Sequence, residues 1–177
     1  NVARYWELET GQPIATIDGF DGKIKATHIS PSGDQLMATD GKTLKVYSVP
    51  QEKVIATFEV AKSHVSGQAA AFSPDGSKLA TGDSYKIVIW DLVNSRKLGV
   101  MEGDGINWSM SFAPDNRHLL SGANGVIHAW DCDQMAKVQT NHIGKHFNVQ
   151  AIAVSNDGTL VAAPSAFKTV VVLNATQ

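Results

Sequence analysis

Apolar and polar residues alternate with a period of two along short stretches of this chain, and the stretches return at regular distances. KIVIWDL (86–92) sets Ile87, Ile89 and Asp91 against Val88 and Trp90, the pattern of a strand with two different faces. ARYWEL (3–8), TLKVYSV (43–49), GVIHAWD (125–131) and KTVVVL (168–173) repeat it. Ahead of the last four runs stands a turn: Ser30-Pro31-Ser32-Gly33, Ser73-Pro74-Asp75-Gly76, Ala113-Pro114-Asp115-Asn116 and Ser155-Asn156-Asp157-Gly158, at steps of 43, 40 and 42 residues. Where proline is present it presets φ, and glycine supplies the positive φ of a tight reversal. Seventeen residues after each turn begins, a bulky residue closes the alternating run: Tyr47, Trp90, Trp130 and Val172.

The second repeat is the most regular. SHVSGQAAAF (63–72) reads as its first strand, KLATGD (78–83) as its second, KIVIWDL as its third and KLGVME (97–102) as its fourth. By this count the chain opens on a third and a fourth strand, runs through three complete sets, and closes on strands one to three within 146–173.

Two of the bulky positions read Trp90-Asp91 and Trp130-Asp131, and Trp6-Glu7 is a near version 41 residues before Tyr47. A period of this length with this dipeptide resembles the WD-repeat β-propeller family. The resemblance implies an all-β fold of four-stranded antiparallel blades. It divides the single array 1–177 into repeats 9–49, 50–92, 93–132 and 133–174 behind one extra strand, 1–8. Rings of this family close with seven or eight blades, so the array is expected to be half or a fragment of such a ring. Four stacked blades leave two flat apolar faces to be covered. Either missing blades of a parent chain or a homodimer completing an eight-bladed ring would cover them, and the start at Asn1 favours the fragment.

Blades of this family often bury a hydrogen-bonded set of histidine, serine or threonine, aspartate and tryptophan. The histidine position reads Asp21, His64, Asp104 and His146, and the hydroxyl position reads Ala38, Thr81, Ser121 and Ala163. The second repeat alone offers a full set, His64, Thr81, Asp83 and Trp90, with a structural role implied. Removing a member would strand buried polar partners.

Composition narrows the function. With 43% hydrophobic and 18% charged residues the chain is that of a folded domain, and its net charge of −2 removes the electrostatic case for nucleic acid or an anionic membrane. Its apolar runs are far too short to span a bilayer. The single cysteine, Cys132, excludes an internal disulfide and fits a cytoplasmic setting. No phosphate loop, calcium loop, nucleophile elbow or carboxylate pair is present, so neither an enzyme nor a cofactor or metal site is expected. His142 and His146 stand four apart, on a strand end and a loop rather than one helix face.

The face where the first strands begin is the expected place of function, since propellers carry variable loops there around the axis. Small residues suit the crowded axis at Ala26, Ala69, Ser109 and Ala151. The positions just ahead read Lys25, Gln68, Trp108 and Gln150, and two further back Lys23, Ser66, Ile106 and Asn148. These eight are the candidate contacts for a protein or peptide partner. Trp108 stands out, because a large aromatic at such a position is either a binding anchor or packing between blades. Two other functions remain open: an accessory or sensor domain of a larger enzyme, and an architectural half-ring that pairs with itself.

Overall fold

The computed structural model describes residues 1–60, 69–82, 85–145, 147–165 and 169–174, and every regular element among them is a strand. β1 (Ala3–Trp6) and β2 (Pro13–Ile17) form a hairpin. β3 (Ala26–Ile29), β4 (Gln35–Thr39), β5 (Thr43–Ser48) and β6 (Lys53–Glu59) form the first four-stranded sheet in consecutive antiparallel order. β7 (Ala70–Phe72), β8 (Lys78–Gly82), β9 (Lys86–Asp91) and β10 (Arg96–Glu102) form the second. β11 (Ser109–Phe112), β12 (His118–Gly122), β13 (Val126–Asp131) and β14 (Ala136–His142) form the third. β15 (Ala153–Val154), β16 (Leu160–Ser165) and β17 (Thr169–Asn174) form a sheet of three. The architecture is therefore a row of propeller blades, and the ring is not closed.

A blade with a neighbour on each side buries both faces, which explains the near-continuous apolar third strands. Between the first and second blades, Leu44, Val46 and Phe58 meet Phe72, Leu79 and Trp90. Between the second and third, Ile87, Ile89 and Met101 meet Phe112, Leu119 and Trp130. The opening hairpin packs Ala3, Tyr5, Ala15 and Ile17 on Leu36 and Ala38 of the first blade. There the Tyr5 hydroxyl donates to the Met37 carbonyl at 2.6 Å. At about 25 cal/mol per Å² of apolar surface, such junctions supply most of the cohesion of a stacked array.

The faces at the two ends of the row are open. Val170 and Val172 are 68% and 59% exposed on the last blade, and Trp6 and Ile29 are 54% and 59% exposed at the other end.

The last blade also departs from the repeat read in the sequence. Leu36 pairs with Tyr47, Leu79 with Trp90 and Leu119 with Trp130. The equivalent Val161 pairs with Leu173, not with Val172. Because successive strand side chains point to opposite faces, this slip of one residue turns Leu173 into the junction and Val172 outward. Val161 and its partner Leu173 stand one residue further apart along the chain than the three earlier pairs, and an equal count along the sequence lands on the wrong face.

Two tryptophans are held by the predicted hydroxyls. Trp90 Nε1 donates to Thr81 Oγ1 and Trp130 Nε1 to Ser121 Oγ, both at 2.9 Å. His64, Asp83 and His146 lie outside the described residues, so of the expected set the Thr81–Trp90 contact is the part seen here.

Candidate functional site

The segments leading into the first strands are fixed by extending the ladder beyond the strands proper. Lys25 N donates to Thr39 O and Trp108 N to Gly122 O, each at 2.8 Å. Alternation then sets where the neighbouring side chains go. Lys23 and Lys25 are exposed on the first blade, and Trp108 and Ile106 are half-buried on the third. The aliphatic stem of Lys25 lies across Gly41, whose φ of +86° belongs to the turn between β4 and β5. Ser66 and Gln68 lie outside the described residues.

The fourth position behaves differently. Val149 is fully buried, its N–H donating to Ala123 O at 3.2 Å while its carbonyl accepts from Ser109 Oγ at 2.7 Å. Asn148 forms an isolated antiparallel bridge with Asn124, in the turn between β12 and β13. The segment leading into the last blade thus leans on the third blade. Gly122 permits this approach, because a Cβ there would stand 2.5 Å from the Val149 carbonyl. Asn148 and Gln150 flank the buried valine and are exposed.

These contacts bring Trp108, Asn124 and Asn148 to one place. Trp108 Nε1 donates to Asn124 Oδ1 at 3.2 Å, so the indole is steered across the turn and remains partly open to solvent. Beside it Asn124, Asn148, Phe147, His142 and Lys145 line an open depression of about 470 Å³. Among the described residues no contact joins Lys23 or Lys25 to this cluster, and they stand on the same face two blades away. Asn124, His142 and Lys145 were not among the eight partner contacts expected from the sequence. The Asn124-Gly125 dipeptide marks a turn, with φ of +71° at Gly125, but no period points from it to Trp108.

The acidic residues of this face are committed elsewhere. Asp40 is buried, which opposes its ionisation, yet backbone N–H groups of Thr43, Gly22 and Lys42 outweigh that and hold its carboxyl below the usual range. Its bond to Gly22 ties the loop after β2 to the turn after β4, where Asp21 stands in place of a histidine. Asp104 pairs with Lys137, and Asp21 with Lys42.

Burial pushes the Cys132 thiol up to about 12, so it stays protonated and unreactive at neutral pH. Among the described residues no group of three or more His, Cys, Asp or Glu side chains is placed to hold a metal ion. No helix among them is long and apolar enough to cross a membrane.

Comparison with known sequences agrees with the blades. The profile "WD domain, G-beta repeat" matches 52–91 and 95–131. These spans cover β6–β9 and β10–β13, the repeats whose tryptophans carry the hydroxyl contact. The mouse "U3 small nucleolar RNA-associated protein 4 homolog" is 28% identical over 80% of this chain and 22% of its own length. The "Target of rapamycin complex subunit wat1" of Schizosaccharomyces pombe is 26% identical over 92% of this chain and 52% of its own. The "Small ribosomal subunit protein RACK1" of Brassica napus is 30% identical over 52% and 28%. The chain spans between about a fifth and a half of these relatives.

Proposed function

We propose that this chain, which belongs to the WD-repeat family, is a non-catalytic scaffold that binds a protein or peptide partner on the face where its first strands begin. The observation that carries the reading is the Trp108–Asn124–Asn148 cluster beside its open depression. An oriented, half-exposed indole next to amide groups has the composition of an interaction hot spot, and rigid blades hold it in place. Relatives described as a subunit of a target of rapamycin complex and as a small ribosomal subunit protein lend the scaffold class support. Lys23, Lys25, Ile106 and Gln150 extend the surface around the same face, and Ser66 and Gln68, expected to join them, lie outside the described residues. The setting proposed is cytoplasmic, with neither nucleic acid nor membrane as a direct partner.

The test is capture of interacting proteins from cell extract by the full chain, identified by mass spectrometry and repeated with Trp108→Ala and Lys25→Ala. Loss of the same identified partner at an unchanged melting temperature is expected. Retention of every partner by both variants would refute this face as the site.

A second reading, a half-ring that completes itself with another copy, draws on the exposed valines of the last blade. Light scattering across a dilution series separates the two. A dimer that survives dilution supports self-assembly, and its absence leaves the scaffold with further blades of a parent chain. The accessory domain of a larger enzyme is the remaining alternative, and the same captured partners, or catalytic sequence in the parent chain, would distinguish it.

A further inference from the structure

Four junctions in this chain are built from equivalent strand positions, and the last is built of different chemistry. Cross-strand register makes Ala15 and Ile17, Ala56 and Phe58, and Gly99 and Met101 equivalent to Gln139 and Asn141. The first three junctions therefore take no polar side chain from these fourth-strand positions, and the junction between the third and last blades takes two amides. The residue they face changes as well. Tyr47, Trp90 and Trp130 hold aromatic rings in the earlier junctions, where the last has Leu173. The first-strand position occupied by Phe72 and Phe112 carries Val154.

Losing an aromatic ring from a packed junction leaves a void unless the neighbours collapse into it. Here a cleft of about 260 Å³ remains, with Ile127, Val154, Val161 and Leu173 among its apolar lining and Gln139 and Asn141 on its wall. Gln139 Nε2 donates to Asn141 Oδ1 at 3.1 Å. Among the described residues no hydrogen bond engages the Gln139 amide oxygen or the Asn141 amide nitrogen, and these two atoms can bond a guest. Ligand pockets join an apolar lining to a few directed polar groups, but those for drug-sized molecules start at roughly 300 Å³. The space suits one flat ring.

We propose that this cleft receives the indole or phenol side chain of a partner segment, which lies where Trp90 and Trp130 lie in the junctions before it. The ring stacks on Leu173 and Val154, and its N–H or O–H bonds the free amide oxygen. The chain's own junctions supply the precedent: the ring enters from a partner because the last blade does not bring one. This site lies between blades and stands independently of the first-strand face.

The experiment is a titration of the full chain with N-acetyl-tryptophanamide, followed by methyl NMR of valine and leucine, with N-acetyl-leucinamide as the control. Saturable shifts at Val154 and Leu173 are expected with the indole and not with the control. Leu173→Trp should weaken binding at least tenfold while raising the melting temperature, because the chain then fills its own cleft. Asn141→Leu with Gln139→Leu should weaken it several-fold with the fold retained. Absence of saturable shifts at millimolar probe, or equal affinity in Leu173→Trp, would overturn the proposal. Should Leu173→Trp fail to fold, the amide variants decide alone: unchanged affinity in them overturns it.

Discussion

Trp90 donates its indole N–H to the Thr81 hydroxyl at 2.9 Å, within the apolar junction between the first two blades. Phe58 lies against the same ring at 4.5 Å between centroids. The ring is thereby placed by one polar and one aromatic contact. Thr81→Val keeps the shape and removes the acceptor, which leaves a buried N–H without a partner. A loss of about 1–3 kcal/mol in urea unfolding is expected. In a double-mutant cycle with Trp90→Phe the two losses should fall short of additive, since either change removes the same bond. Full additivity would show that the bond contributes nothing.

Gly122 governs how the last blade is attached. A methyl group there meets the Val149 carbonyl at 2.5 Å and Ser109 Oγ at 2.6 Å, and neither can move without opening the junction. Gly122→Ala should cost about 1–3 kcal/mol, the range of overpacking in a close-packed interior. Gly105→Ala, with nothing within 4 Å of the added carbon, serves as the reference. Similar melting curves for the two variants would contradict the attachment described here.

Asp131 accepts from Arg117 Nη2 at 2.5 Å and Nε at 3.0 Å, and from the backbone N–H groups of Asp133 and Gln134. The Arg117 bonds first, then the backbone bonds, hold its carboxyl well below the ordinary carboxylate range. A depressed folded-state value means stability that is present above pH about 4 and lost as pH falls toward that value. Asp131→Asn should flatten stability against pH between about 4 and 2.5. An unchanged acid slope in urea midpoints would assign acid sensitivity to other carboxylates.

His128 titrates in a higher window. It is 2% exposed, and its Nδ1 meets Thr140 Oγ1 at 2.9 Å. Burial lowers its pKa, the nearby Lys137 and His142 add to that, and Asp104 acts against it. The folded state therefore takes up its proton less readily than the unfolded chain, whose histidines titrate near pH 6.5. Its contribution is present above about pH 6.5 and declines as pH falls through the lower folded value. His28 is shifted in the same direction by burial. Urea midpoints between pH 7.5 and 5 should fall in the wild type and fall less in His128→Gln and His28→Gln. Equal falls in all three would remove both residues from the account.

Blade structure was legible because a third strand packed between two neighbouring blades is apolar along most of its length, at a fixed distance from a proline or glycine turn. Trp90 and Trp130 stood at their expected register, and their hydroxyl partners followed from it. Counting failed at Val172, where one added residue between Val161 and its cross-strand partner reversed the faces, since a period of two has no tolerance for a single insertion. The Trp108 site was half legible. Its indole stood out among Lys25, Gln68 and Gln150 at the equivalent positions, but Asn124 and Asn148 reach it only through a turn and an inter-blade bridge. The cleft beside Leu173 was hidden for the same reason as Val172, because Gln139 and Asn141 become exceptional only once the registers are aligned.

The offset between profile and sheet has a consequence for how such a chain can change length. The matched span 52–91 begins on the outer strand of one blade and ends on the third strand of the next. Excising it joins β3–β5 to β10, a strand of the same kind as the β6 removed, so the array shortens by one blade without a raw edge at the seam. Duplicating it lengthens the array just as cleanly. The inherited unit and the folded unit are out of phase, and that mismatch lets recombination splice blades as interchangeable parts.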